Sequence, residues 1–149
     1  MSGISISSKQ DLSHYKNSLT VTADFTSATW NTQTTHEILD VTGAVFLQIF
    51  PVCQGDLTGA GSIQLGTDTN TSAFVASTVA TAIDQNEIWA STSPTANLAK
   101  ASFIDSIVTG DVGYEITAAA LTGGSILFVV FWEPASAGAT VVVGAGGVL

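Results

Sequence analysis

An all-β fold, an antiparallel β-sandwich of jelly-roll-like kind, is what this sequence predicts, and three observations predict it. Apolar and polar residues alternate with period two over several runs. Glycine and Asx-rich turns separate those runs at roughly 8 to 12 residue spacing, and no long helical period occurs anywhere.

The elements follow in order. Residues 1–18 hold two of the three lysines and little that is apolar beyond Ile4, Ile6, Leu12 and Tyr15, so they read as an N-terminal arm ordered where something holds it. Residues 19–149 then read as a single sandwich domain with a flexible Gly/Ala/Val tail. In LTVTADF, Leu19, Val21, Ala23 and Phe25 alternate with Thr20, Thr22 and Asp24, the mark of a half-buried strand. HEILDVT (36–42) predicts another. AVFLQIFPVC (44–53) is apolar on both alternating faces, which predicts a strand covered twice; Pro51 has no N–H to donate and marks an end of pairing or a bulge.

Glycines at 55, 59, 61 and 66 bracket a short strand, Ser62 to Leu65. FVASTVATAI reads as an irregular segment with one turn of helix. Further strands are expected at Glu87 to Ala90, Phe103 to Val108, Val112 to Thr117, Ser125 to Trp132 and Ala139 to Val143. The expected core is Val21, Phe25, Leu47, Ile49, Trp89, Ile116, Phe128 and Val130.

Composition narrows the function. Hydrophobic residues make up 46% of the 149 and charged residues only 10%, against about 25% charged in an ordinary soluble domain. Much of the surface is therefore Thr, Ser, Asn, Gln and Gly, which suits a protein covered by other protein. The net charge is -9, with Lys9, Lys16 and Lys100 the only cations and no arginine. No basic face exists for phosphates or anionic lipid, so neither nucleic acid nor membrane is an expected partner. No apolar run is long enough for a membrane helix, and the N-terminus lacks the apolar stretch of a signal peptide; the chain reads as made in a cytoplasm and not exported by a cleaved leader.

Motifs for chemistry are missing. Cys53 stands alone and is expected in the core. Asp84 and Glu87, in AIDQNEIW, read as a turn with an Asx-type bond rather than an acid/base pair. TDTNTS lacks the later glutamate of a calcium loop. His14 and His36 have no ligand spacing, no GxSxG is present, and the Gly-rich stretches match no phosphate-binding pattern. The expected catalytic, metal and cofactor sets are all none. Trp30, Trp89 and Trp132 are weighed as a sugar platform, but Trp89 and Trp132 lie in apolar strands and are expected to pack inside.

The stretch GSIQLGTDTNTSAFVASTVATAIDQNEIWASTSP (61–94), followed by GGSILFVVFWEP (123–134) and the Gly/Ala/Val tail, resembles small β-rich structural proteins of tailed bacteriophages, over roughly residues 19 to 145. The resemblance implies a virion component, foremost a decoration or cement protein on the head, with no catalytic residues. It makes the major capsid protein or other virion proteins, together with further copies of this chain, the expected partners, and a homotrimer the favoured assembly. A head-fibre or tail module binding a host glycan or receptor, and a tail or baseplate subunit, are the alternatives.

A two-layer sandwich covers one face of each sheet, so a doubly apolar strand leaves residues for an interface or a crossing segment. Those candidates are Phe46, Phe50, Leu127, Val129 and Phe131, joined in the arm by Ile4, Ile6, Lys9, Tyr15 and Lys16.

Overall fold

The computed structural model describes residues 15–96 and 103–149. In chain order these form β1 (Asn17–Asp24), a short helix α1 (Ala28–Asn31), β2 (Thr35–Thr42), β3 (Val45–Gly59), β4 (Ser62–Thr67), β5 (Val75–Val79), a 3-10 turn (Ala80–Ala82), β6 (Ile104–Val108), β7 (Val112–Thr117), β8 (Leu121–Pro134) and β9 (Thr140–Val143). All pairings are antiparallel. One sheet runs β1-β8-β3-β6 and the other β5-β4-β7-β2-β9, so the chain changes sheet at each step except β4 to β5. This is the predicted antiparallel sandwich, with a jelly-roll-like strand order.

The spine of the four-stranded sheet is the long pair β3 and β8, the two segments whose sequences are apolar on both faces. Its register sets Leu47 beside Trp132, Ile49 beside Val130 and Pro51 beside Phe128 on one face. Phe46 beside Glu133, Gln48 beside Phe131 and Phe50 beside Val129 make the other. The first set faces the five-stranded sheet, from which Ile38, Leu39, Ile63, Leu65, Tyr114 and Ile116 meet it. All eight predicted core residues are buried, each worth about 1.5 to 3 kcal/mol of transfer free energy when fully covered.

Pro51 acts as its missing N–H requires. The pairing of β3 with β6 ends at Ile49, and past it the β3 edge is taken by residues 86–89. Trp89 N–H donates to the Pro51 carbonyl at 2.9 Å and Cys53 N–H to Glu87 at 2.8 Å. On the β8 side pairing continues, with register shifts beyond Cys53. Gly124 sits there at φ +91 with the Asp56 carbonyl against its α-carbon, a place where a side chain would collide.

Four expectations need correction. The 74–83 segment is not irregular: β5 pairs with β4, because Val75, Thr78 and Val79 are β-branched and β4 offers a free edge, and the helical turn is confined to Ala80–Ala82. Residues 87–90 form no strand, only a bridge at Ile88 to Val52 and Thr95, since Trp89 leaves the edge to fill the core. Its indole N–H donates to the Thr78 hydroxyl at 3.0 Å.

The other two lie at the chain's extremities. Asn17 and Ser18 already belong to β1. The C-terminal residues, read as flexible, bond back onto β2: Gly144 N–H to Ile38, Gly146 N–H to Glu37, and Glu37 N–H to Gly147. Helix α1, unanticipated, is capped by Ser27, whose hydroxyl accepts from Thr29 N–H at 3.3 Å.

Candidate interaction surface

The two outward faces of the sandwich differ in chemistry. On the five-stranded sheet, Gln64, Thr71 and Glu115 form a closed hydrogen-bond set, with Gln64 Nε2 and Thr71 Oγ1 each 2.7 Å from the same Glu115 oxygen. Those bonds pin the 67–74 loop onto the sheet. The loop closes over Gly66, whose α-carbon faces the Asn70 carbonyl. Glu37 and Asp111 lie on the same sheet; burial first, then the Asp111 and Asp40 charges, hold the Glu37 carboxyl above its ordinary range.

The outward face of the four-stranded sheet is largely apolar along β3, β8 and β6, with Gln48 at its middle, and polar along β1 at Ser18, Thr20 and Thr22. Alternation on β3 and β8 places Phe46, Phe50, Val52, Leu127, Val129 and Phe131 there. β6 adds Phe103 and Ile107, whose alternation with the buried Ile104 and Val108 turns them outward. Phe50 stacks on Phe103 with centroids 4.9 Å apart and meets Phe131 edge-on at 6.0 Å. Phe46 remains 38% exposed, Phe103 41% and Ile107 60%. Asp105 and Glu133 border this face at the Phe46 end.

Tyr15 is seated on it. Its ring stacks on Phe46 at 6.2 Å, and its hydroxyl donates to Asp105 Oδ1 at 3.2 Å. Burial and the Asp105 and Glu133 carboxylates push the phenol above its usual range. β1 is the edge strand farthest from β6. The Tyr15 side chain thus reaches from the start of β1 past β8 to β3 and β6.

The expected interface residues divide accordingly. Tyr15, Phe46, Phe50, Leu127, Val129 and Phe131 come together on this one face; Lys16 is exposed beside it. Ile4, Ile6 and Lys9 lie outside the described residues, as does His14. Sequence reasoning missed Phe103, Ile107 and Val52. The alternation in FIDSIV was visible, but not which of its two faces would turn inward.

The weighed chemical candidates resolve into structure. At 84–87 a turn forms, but the accepting carboxylate is that of Glu87, which takes Asp84 N–H at 2.9 Å. His36 is buried, with Nδ1 3.1 Å from the Gly146 carbonyl and Nε2 2.9 Å from that of Thr32. Cys53 is buried, and its thiol is pushed up to about 11 chiefly by that burial. Trp30 is half-buried against the core, and its carbonyl accepts the Tyr114 hydroxyl at 2.7 Å. Trp132 is also half-buried against the core. The three indoles do not form one platform.

Among the described residues, no three His, Cys, Asp or Glu side chains converge as metal ligands, and no helix is long and apolar enough to cross a membrane. A cleft of about 280 Å³ lies between the 67–74 loop and the β6–β7 turn, lined by Thr67, Asp68, Phe74, Ile107 and Gly110 among others.

No family model matches the sequence, and no curated protein matches it. Among solved structures, the chain is similar to one in the acidic stable capsid structure of Helicobacter pylori bacteriophage KHP30, at a TM-score of 0.46 and 14% identity, over 86% of this chain and 94% of that one.

Proposed function

We propose that this chain is a non-enzymatic structural protein of a phage virion, a decoration or cement protein that binds the outside of the head and stabilises it. The observation that carries this reading is the pairing of an apolar, charge-poor sheet face with a body otherwise clothed in Thr, Ser and Asn. Such a face is a contact surface, and the polar uncharged remainder lets many copies pack without like-charge repulsion. The resemblance of residues 61–94 and 123–134 to phage structural proteins supports the same reading.

The attachment elements are the N-terminal arm, with Ile4, Ile6, Lys9, Tyr15 and Lys16, and the outer face, with Phe46, Phe50, Leu127, Val129 and Phe131. Its partners are the major capsid protein and further copies of itself, with a trimer suited to three-fold positions on a shell. Because β1 starts at Asn17, the test removes residues 1–14 alone. The truncated protein should fold and no longer bind heads stripped of accessory proteins, as read by co-sedimentation. Undiminished binding would overturn the arm's role. Failure of the full-length chain to bind any head, set against binding to purified tails or host glycan, would overturn the decoration reading itself.

A further inference from the structure

β1 is one of the two edges of the four-stranded sheet, and it lacks what protects the other edges of the sandwich. Alternate residues of an edge strand turn their N–H and C=O groups to solvent, a template for another strand unless a charge, a proline, a bulge or shortness spoils it. β9 has four residues, β5 shifts register against β4, and β6 carries Asp105 in a run of five. β1 has eight residues, in unbroken register with β8 from Asn17 to Asp24. Between Asn17 and Ala23 it holds no charge and no proline. Among the described residues, no partner outside the ladder bonds to that stretch of backbone.

The two ends of the strand identify its partner. Lys16, the one lysine among the described residues, precedes β1, and Asp24 closes it. Both belong to the even-numbered set that faces outward, since Val21 and Ala23 are buried while Ser18, Thr20 and Thr22 are exposed. When a strand pairs antiparallel with its own copy, opposed residues must share a face, so their numbers add to an even total. Of the registers this allows, the one centred on Thr20 opposes the whole edge and sets Lys16 of each copy against Asp24 of the other. It also sets Thr20 against Thr20 and Ser18 against Thr22, cross-strand pairs of a kind that stabilises sheets. On the inner side the half-buried Leu19 meets Val21. β9 runs beside β1 in the opposite sheet, and its exposed Val142 and Val143 add apolar surface to the same side of the sandwich.

We propose that two copies of this chain pair antiparallel through β1, about a two-fold axis at Thr20, so that two four-stranded sheets become one of eight strands. The contact goes beyond the virion reading and its three-fold assembly, and holds or fails without them. Two strands of this length bury less than the roughly 1,200 Å² of a standard interface, so the dimer forms with rising concentration and is not permanent.

Sedimentation equilibrium of the full chain, from about micromolar to about millimolar, should show monomer in exchange with dimer. Lys16→Glu sets acids against Asp24 at both ends and should raise the dissociation constant about tenfold, two exposed ion pairs having turned repulsive. Adding Asp24→Lys exchanges the charges and should return it to within about twofold. A second measurement leaves the charges alone. Under mild oxidation Thr20→Cys should link two copies, because opposed Cα atoms in such a pair stand about 4.5 to 5.5 Å apart, within reach of a disulfide. Thr22→Cys should not, its two copies being about 14 Å apart, and the buried Cys53 takes no part. No association at millimolar concentration, association that does not follow the charge exchange, or equal linking of the two cysteine variants would each overturn the inference.

Discussion

Phe128→Ala tests the two-faced reading of the sheet most directly. Phe128 sits at the middle of β8, fully buried, paired with Val21 on one side and Pro51 on the other, and stacked on Tyr114 at 6.1 Å across the sheets. Truncating a buried phenylalanine removes its transfer free energy and leaves a cavity, together about 3 to 5 kcal/mol, and loss of an aromatic pair adds about 0.5 to 1.5. The expected cost is therefore about 4 kcal/mol. At about 3 °C per kcal/mol for a domain of this length, the melting point should fall by about 12 °C. Phe46→Ala, on the opposite face and on the strand next to the edge strand β6, removes a ring already 38% exposed and should cost about 1 kcal/mol or less. Urea unfolding followed by tryptophan fluorescence, from the buried Trp89 and the half-buried Trp30 and Trp132, reads both at one fixed protein concentration. Equal costs for the two substitutions would refute the assignment of inner and outer faces.

Other consequences follow from single contacts. Tyr114→Phe leaves the Trp30 carbonyl without its donor and should cost about 1 to 2 kcal/mol in the same assay; no change would mean that water reaches that carbonyl. The Cys53 thiol, pushed up to about 11 by burial, should resist alkylation at pH 7 in the native protein and react at once in urea; rapid native labelling would place it at the surface. Glu37 has a folded-state pKa raised above the ordinary 4.5, so its contribution to stability is complete below about pH 4.5 and is lost as pH rises through the raised value. Glu37→Gln should accordingly be more stable than wild type at pH 7, with the gap closing at pH 4; a pH-independent gap would remove that explanation. Gly66→Ala should be strongly destabilising, because a β-carbon there meets the Asn70 carbonyl, and a wild-type urea midpoint would show that the 67–74 loop can move away.

Period two carried most of the fold into the sequence. β1, β2, β4, β6, β7, β8 and β9 stand within a few residues of where alternation places them, since each has one face that must leave water. Where it failed, tertiary partners decided. Residues 74–83 carry apolar positions compatible with a helical face, and only the free edge of β4 makes 75–79 a strand. EIWA has strand composition, but Trp89 is drawn to the end of the core and Asn86 takes φ 69, so the segment pairs through single bridges. The tail's Gly144 and Gly146 looked like freedom; they serve close approach to β2, with Gly146 against Trp30 and Thr29.

The candidate surface was half legible for a related reason. β3 and β8 are apolar on both sides, so any packing leaves one apolar side outward, and Phe46, Phe50, Leu127, Val129 and Phe131 could be named without knowing the fold. β6 is short, and either of its faces would serve as core: Phe103, Asp105 and Ile107 against Ile104, Ser106 and Val108. Only pairing with β3 at Ile49 to Ile104 sets the choice.

Charge placement explains how copies with a net charge of -9 could meet at all. Glu37, Asp111 and Glu115 belong to the five-stranded sheet, and the two sheets pack about 10 Å apart. With side chains on both outer faces, those carboxylates stand farther from an approaching partner than the Debye length of about 8 Å at physiological salt. The acids on or beside the four-stranded sheet are Asp24, Asp56, Asp105 and Glu133, with Asp84 and Glu87 along the β3 edge. Asp105 already accepts the Tyr15 hydroxyl, and Asp24 accepts from both the backbone and the hydroxyl of Thr26. Asp56 accepts from Gln85 N–H and Glu87 from Asp84 N–H, so a partner at the apolar face meets carboxylates that already hold donors of this chain.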